Sequence, residues 1–153
     1  TLTIMKINPW LYEGRPYEPP ENFSSDDYYG FVYCITNRAN GKKYIGKKFF
    51  WNKKTLPKTK TRKRRVRMLV ESDWREYFGS NRILKEEVET SGKDIYHREI
   101  LYLCKTKGEC AYLEAKEQFD RDVLLSDDYY NGIINCRIGA PSVKSLKKQF
   151  TND

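Results

Sequence analysis

Apolar and aromatic residues crowd into two runs in the first third of the chain, with a polar turn between them. Gly30–Thr36 reads Gly-Phe-Val-Tyr-Cys-Ile-Thr, dense in the β-branched and aromatic types that suit a strand. Lys42–Phe49 is the returning strand, and Asn40-Gly41, within the turn Asn37–Gly41, offers the positive φ angles of a tight hairpin. From Trp51 to Arg67 apolar periodicity fades, which predicts a long loop, and loops of that length are uncommon without a function. Val70–Phe78 predicts a short helix stopped at Gly79. Ser80 is placed to cap a second helix running to Ser91 and ended by Gly92, with Ile83, Leu84 and Val88 on its buried side. Ile95–Cys104 alternates as a third strand with two mixed faces, as suits a central strand covered by helices. Thr106-x-x-Glu109 is a capping box that opens a helix to about Asp122. Ala111, Ala115 and Phe119 form its stripe, flanked by Tyr112 and Leu113.

The order β-β-α-α-β-α predicts an α+β domain, a small three-stranded antiparallel sheet flanked by helices. Three regions follow. Residues 1–27 form an arm rich in proline (Pro9, Pro16, Pro19, Pro20), anchored by Trp10, Leu11 and Tyr17. Residues 28–138 form the domain, carrying the loop 50–67, and residues 139–153 are a basic, polar tail. Met5 reads as the natural start, and the first ten residues lack the charged and apolar regions of a secretory signal. A chain of 153 residues can bury a core without disulfides. Cys34, Cys104, Cys110 and Cys136 form no C-x-x-C pair and His97 is the single histidine, so the expectation is buried, reduced thiols in a cytoplasmic protein rather than a zinc site. His97 reads as structural. No apolar run reaches the ~20 residues of a membrane span.

Charge changes the picture. The net value is +8, yet Lys42–Arg67 holds 13 of the 29 Lys and Arg residues and no Asp or Glu. The remaining 16 basic residues face 21 acidic ones. One local cationic block therefore sits on an acidic protein, and such a block attracts a polyphosphate and releases its counterions on binding. Candidate nucleic-acid contacts are Lys48, Lys53, Lys54, Lys58, Lys60, Arg62, Lys63, Arg64 and Arg67. Composition does not choose between DNA and RNA, but no aromatic RNA-recognition motif is present.

Within the hairpin, Gly30-Phe31-Val32-Tyr33 and Lys43-Tyr44-Ile45-Gly46-Lys47 resemble the two motifs of the GIY-YIG nuclease superfamily. Val32-Tyr33 stands for Ile-Tyr, and Tyr44-Ile45-Gly46 matches in full. Leu113-Glu114 on the capped helix and Asn131 after Tyr129-Tyr130 fall in the family's order, over about 28–138. Glu71-Ser72-Asp73-Trp74, Tyr77 with Gly79-Ser80, Arg98-Glu99-Ile100-Leu101 and Tyr130-Asn131 are similar to the Seg-type endonucleases of T-even-like phages.

The resemblance implies a metal-dependent endonuclease acting on double-stranded DNA, in the cytoplasm of a phage-infected bacterial cell. Glu114 would hold one Mg²⁺ (or Mn²⁺), with Glu117 one turn later as a rival ligand. Tyr33 and Tyr44 would orient or activate water, and Lys47 would touch the scissile phosphate. Tyr77 would line the site, with Gly46 and Asn131 in support. The family also places an Arg on the first helix, where the insertion after Phe49 leaves Arg65 and Arg75 as alternatives. A non-catalytic nucleic-acid-binding protein on a nuclease-like fold is the alternative reading. No membrane association or protein partner is indicated.

Overall fold

The computed structural model describes residues 8–135 and 137–147. Its centre is the expected hairpin. Gly30–Asn37 (β3) pairs antiparallel with Lys43–Phe49 (β4) in a continuous register from Gly30↔Phe49 to Thr36↔Lys43. Gly41 supplies the turn's positive φ of 76°. Tyr96–Cys104 (β7) lies on the other side of β3, also antiparallel, with a register shift between Val32 and Tyr33. As expected it is a central strand, and a short 3-10 turn, Lys93–Ile95, leads into it.

The sheet is larger than the three antiparallel strands expected. The Pro-rich arm adds Leu11–Tyr12 (β1), parallel to β7, and Arg15–Pro16 (β2), so the order is β2-β1-β7-β3-β4 and the sheet is mixed. Trp10 is 2% exposed and fixes the arm by donating its indole N–H to the Trp74 carbonyl at 2.6 Å. Leu11 is half-buried, and Tyr17 packs against Phe50 and Trp74.

The expected loop 50–67 is a loop only over residues 57–65, and its two ends belong to a second sheet. Trp51–Leu56 (β5) and Val66–Glu71 (β6) form a two-stranded antiparallel ribbon, registered from Trp51↔Glu71 to Leu56↔Val66. A strand exposed on both faces needs no apolar alternation, so this hairpin leaves no periodic signal. Val70–Phe78 is accordingly not a helix. Its start completes β6, and only Trp74–Glu76 makes a 3-10 turn.

Arg82–Ser91 (α1) is capped by Asn81, whose side chain accepts from the Leu84 N–H, rather than by Ser80. Leu84 and Val88 are buried, but Ile83 is 57% exposed. Lys107–Asp120 (α2) opens with the complete Thr106/Glu109 capping box. Its buried residues include Cys110, Leu113, Glu114, Ala115 and Gln118, whereas Phe119 is exposed.

Alternation along β3 builds two cores on opposite faces. Phe31, Tyr33 and Ile35 join Trp10, Phe50, Trp74, Phe78 and Leu84. Val32 and Cys34 join Ile45, Cys110 and Leu113 under α2. Cys34, Cys104 and Cys110 are buried free thiols, while Cys136 lies outside the described residues. His97 is half-buried, its Nδ1 3.1 Å from Arg38. Among the described residues, no helix is long and apolar enough to cross a membrane.

Candidate active site

Strand β4 is an edge strand of the main sheet, so side chains from both its faces meet at that edge. Tyr44 belongs to the aromatic face, Lys47 shares the opposite face with its partner Val32, and α2 brings Glu114 over that second face. The result is a cleft of about 350 Å³ lined by Tyr44, Lys47, Lys48, Phe49, Asn52, Ser80, Glu114, Gln118, Ile133 and Asn135.

Lys47 Nζ donates to Glu114 Oε1 at 3.0 Å. The carboxylate is nearly buried, its side chain 12% exposed, and Lys47 is the partner that balances it. Glu117 is committed elsewhere. One of its oxygens accepts from the Tyr102 hydroxyl at 2.7 Å and the other from Arg121 at 2.8 Å. Of the two glutamates, Glu114 lines the cleft and Glu117 does not.

The aromatic side is layered. The Tyr44 hydroxyl lies 3.0 Å from Ser80 Oγ, and burial pushes its pKa up, against the lowering effect of that hydrogen bond. Behind it, Tyr33 is fully buried directly across from Gly46. Among the described residues the Tyr33 hydroxyl meets no group in good hydrogen-bonding geometry, the Tyr77 phenol being its polar neighbour. Burial, with the neighbouring phenols of Tyr77 and Tyr44, holds its pKa well above the ordinary value of 10.0. Tyr77 meets Tyr33 edge-on at 5.9 Å and carries Lys48 Nζ over its ring at 4.3 Å. Lys48 also pairs with Asp73 at 2.7 Å, and it keeps that carboxyl's pKa below the ordinary value.

Asn131 supports the site through the backbone. Its side-chain oxygen accepts from the Ile45 N–H at 3.0 Å, and its amide nitrogen donates to the Ile45 carbonyl at 2.8 Å. The side chain thus imitates one residue of a neighbouring strand. Just before it, Tyr129 bridges Lys43, and the Tyr130 N–H donates to the Lys43 carbonyl.

Arg98 steadies the segment that carries Tyr77. It is 3% exposed, and its guanidinium donates to the carbonyls of Arg75 at 2.9 Å, Tyr77 at 2.8 Å and Asn8 at 2.7 Å. With no carboxylate bonded to it, burial lowers its pKa to about 10.

Tyr44, Lys47, Lys48 and Glu114 are therefore brought together, with Tyr33 and Tyr77 immediately behind. Neither candidate arginine lines the cleft. Arg75 stacks over Trp74 and pairs with Glu71 at 2.9 Å, and Arg65 is exposed beside the ribbon's distal turn. Lys53, Lys54 and Arg67 lie on the ribbon, while Lys58, Lys60, Arg62, Lys63 and Arg64 lie on its turn. Ser80, Asn52 and Gln118 are cleft residues that sequence reasoning missed. The Asx/Ser-type residues before α1 carry a capping signal, and nothing in their spacing separates the cap from the residue facing the cleft.

A hairpin with Tyr33 and Tyr44, an edge glycine, and a helix carrying one carboxylate to that edge define a GIY-YIG domain. Residues 10–134 match a family model described as "Putative endonuclease segE, GIY-YIG domain", and the chain belongs to that family. A relative of that name from Enterobacteria phage T4 is 31% identical over 104 residues, covering 67% of this chain. The chain spans 40% of that relative's length. No solved structure matches.

Proposed function

We propose that this chain is an endonuclease that hydrolyses phosphodiester bonds of double-stranded DNA with the help of one divalent cation, Mg²⁺ or Mn²⁺. The observation that carries the reading is the Lys47–Glu114 pair, 3.0 Å apart in a cleft beside Tyr44 in a GIY-YIG chain.

The donor set fits such an ion. Among the described residues there is no group of three or more His, Cys, Asp or Glu that could cage a metal. Mg²⁺ characteristically keeps several waters and takes one or two carboxylates plus substrate phosphate. Glu114 supplies that carboxylate. When bound, the cation would neutralise charge on the phosphoryl oxygens and assist the departing oxygen. Lys47 Nζ, freed from Glu114, would contact a non-bridging oxygen, and Lys48 would supply the second cation that the absent arginine leaves wanting.

Water would attack phosphorus, the P–O bond to one sugar would break, and the leaving oxygen would take up a proton. Tyr44, held by Ser80, would orient that water. Both phenols are neutral at pH 7, since their pKa values are raised, so their role is to donate or accept hydrogen bonds.

One observation favours a second reading, a non-catalytic DNA-binding protein on this fold: the basic side chains lining the cleft are both lysines. Supercoiled plasmid with Mg²⁺ or EDTA, beside Glu114→Gln, separates the two. Metal-dependent nicking or linearisation lost in Glu114→Gln is expected. Intact plasmid with a salt-sensitive mobility shift, across plasmids of unrelated sequence, would establish the binding protein instead.

A further inference from the structure

We infer that the β5–β6 ribbon enters the major groove of duplex DNA next to the cleft and contacts base edges there, in addition to any phosphate contacts. The inference rests on the DNA reading above and deepens it. Three observations converge on it.

The first is charge. Residues 53–67 hold nine Lys or Arg and no acidic residue. A polyanion is the partner this arm complements.

The second is shape. Six residues per strand at ~3.3 Å each give a ribbon about 20 Å long, standing apart from the main sheet. A two-stranded ribbon fits the major groove, which is about 12 Å wide, whereas the minor groove of about 6 Å is too narrow.

The third is what the ribbon shows to its surroundings. Residues directly opposite each other in an antiparallel pair share a face. One face thus gathers Asn52, Lys54, Leu56, Val66, Met68 and Val70. Asn52 lines the cleft, so this face continues outward from the cleft wall. Val66 is 38% exposed and Met68 is 43% exposed. Phosphates give such side chains nothing to hold, while thymine methyl groups and base edges in the major groove do. The opposite face sets Leu69, also 38% exposed, beside Lys53 and Arg67, and those two cations meet the phosphate walls.

The test uses the full chain with Glu114→Gln, without metal, on a mixed-sequence duplex probed with dimethyl sulfate, which reads guanine N7 in the major groove. Protection of N7 within one helical turn is expected. It should disappear in Val66→Ser/Met68→Ser, two exposed positions whose change leaves the fold intact by circular dichroism, with affinity falling less than about tenfold because phosphate contacts dominate binding. Netropsin, a minor-groove ligand, should not displace the protein. Unprotected N7 in a bound complex, displacement by netropsin, or no binding to duplex DNA at all would each overturn the inference. Plasmid cleavage without N7 protection sinks the groove contact alone. N7 protection by a chain that never cuts sinks the nuclease reading alone.

Discussion

Tyr33 and Gly46 face one another across β3 and β4, and the tyrosine hydroxyl occupies the space a side chain at 46 would need. A Cβ built on Gly46 would lie 2.5 Å from that oxygen and 2.9 Å from the Tyr44 ring. Gly46→Ala must therefore displace one or both phenols. The expected cost is about 1–3 kcal/mol of stability, with loss of cleavage. Tyr33→Phe removes a buried hydroxyl that is unsatisfied among the described residues, so its stability is expected to match or exceed the parent's while cleavage falls. Combining the two changes should recover part of the Gly46→Ala stability loss. Thermal melts and plasmid assays on the three variants check this, and equal Tm deficits for the single and double variants would refute the steric account.

Asn131 spends both ends of its amide on Ile45. Asn131→Ala leaves the Ile45 N–H without its partner, while the carbonyl keeps Gln118 Nε2 at 3.0 Å. The expected loss is about 1–3 kcal/mol, with faster amide exchange at Ile45. Asn131→Asp keeps the acceptor but turns a carboxylate oxygen on the Ile45 carbonyl, so it should not restore the parent. Denaturant melts and hydrogen exchange at Ile45 provide the measurement.

Alkaline pH should unfold the protein earlier than surface titration would suggest. Tyr17, Tyr102 and Tyr130 have pKa values raised to about 12, and that of Tyr33 is raised well above its ordinary value, each mainly by burial. Between the ordinary value of 10.0 and these raised values the folded chain holds more protons than the unfolded one. Stability is therefore intact below pH 10 and falls as pH climbs through the folded-state values. Melts from pH 8 to 12, with phenolate absorbance followed in parallel, should show ionisation of these tyrosines coinciding with unfolding. Ionisation well ahead of unfolding would contradict the burial argument.

Arg64, Arg65 and Lys63 lie at the end of the ribbon, away from both cores, and their conversion to Gln should leave Tm unchanged. The dependence of DNA affinity on salt should become less steep, by up to about 0.9 in log–log slope for each cation that met a phosphate. An unaltered slope would remove the turn from the interface.

What could be read in advance follows from where the information lies. The β3–β4 hairpin and the capped helix α2 are local: a turn, a run of strand formers, a box of two residues. The parallel pairing of Leu11–Tyr12 with Glu99–Ile100 joins two-residue segments far apart in the chain, and no local pattern encodes it. The ribbon was hidden because its exposed strands carry lysines and threonine where a buried strand would alternate. Ser80 and Asn81 are both good caps, and only packing chooses between them. In the site, Glu114 and Lys47 were legible through the order of motifs, not through the residues themselves. The meeting of Lys47 with Glu114, the stacking of Lys48 on Tyr77 and the withdrawal of Arg75 to Glu71 are consequences of tertiary structure.

The edge of β4 behaves like a fence with a single gap. Its even-numbered residues bond inward to β3, as the flanking bonds Asn37 N–H to Lys42 O and Phe50 N–H to Tyr29 O require, so the odd-numbered ones point outward. Outward at Lys43 stand Asp128 and Tyr130, at Ile45 stands Asn131, and the Phe49 carbonyl accepts from Ser72 Oγ at 2.7 Å. Between them falls the peptide of Lys47, at the cleft. An uncovered edge invites another strand to add to it. Among the described residues every outward position but Lys47 is closed, which leaves too short a landing for a strand, and the one open peptide of the edge lies at the cleft.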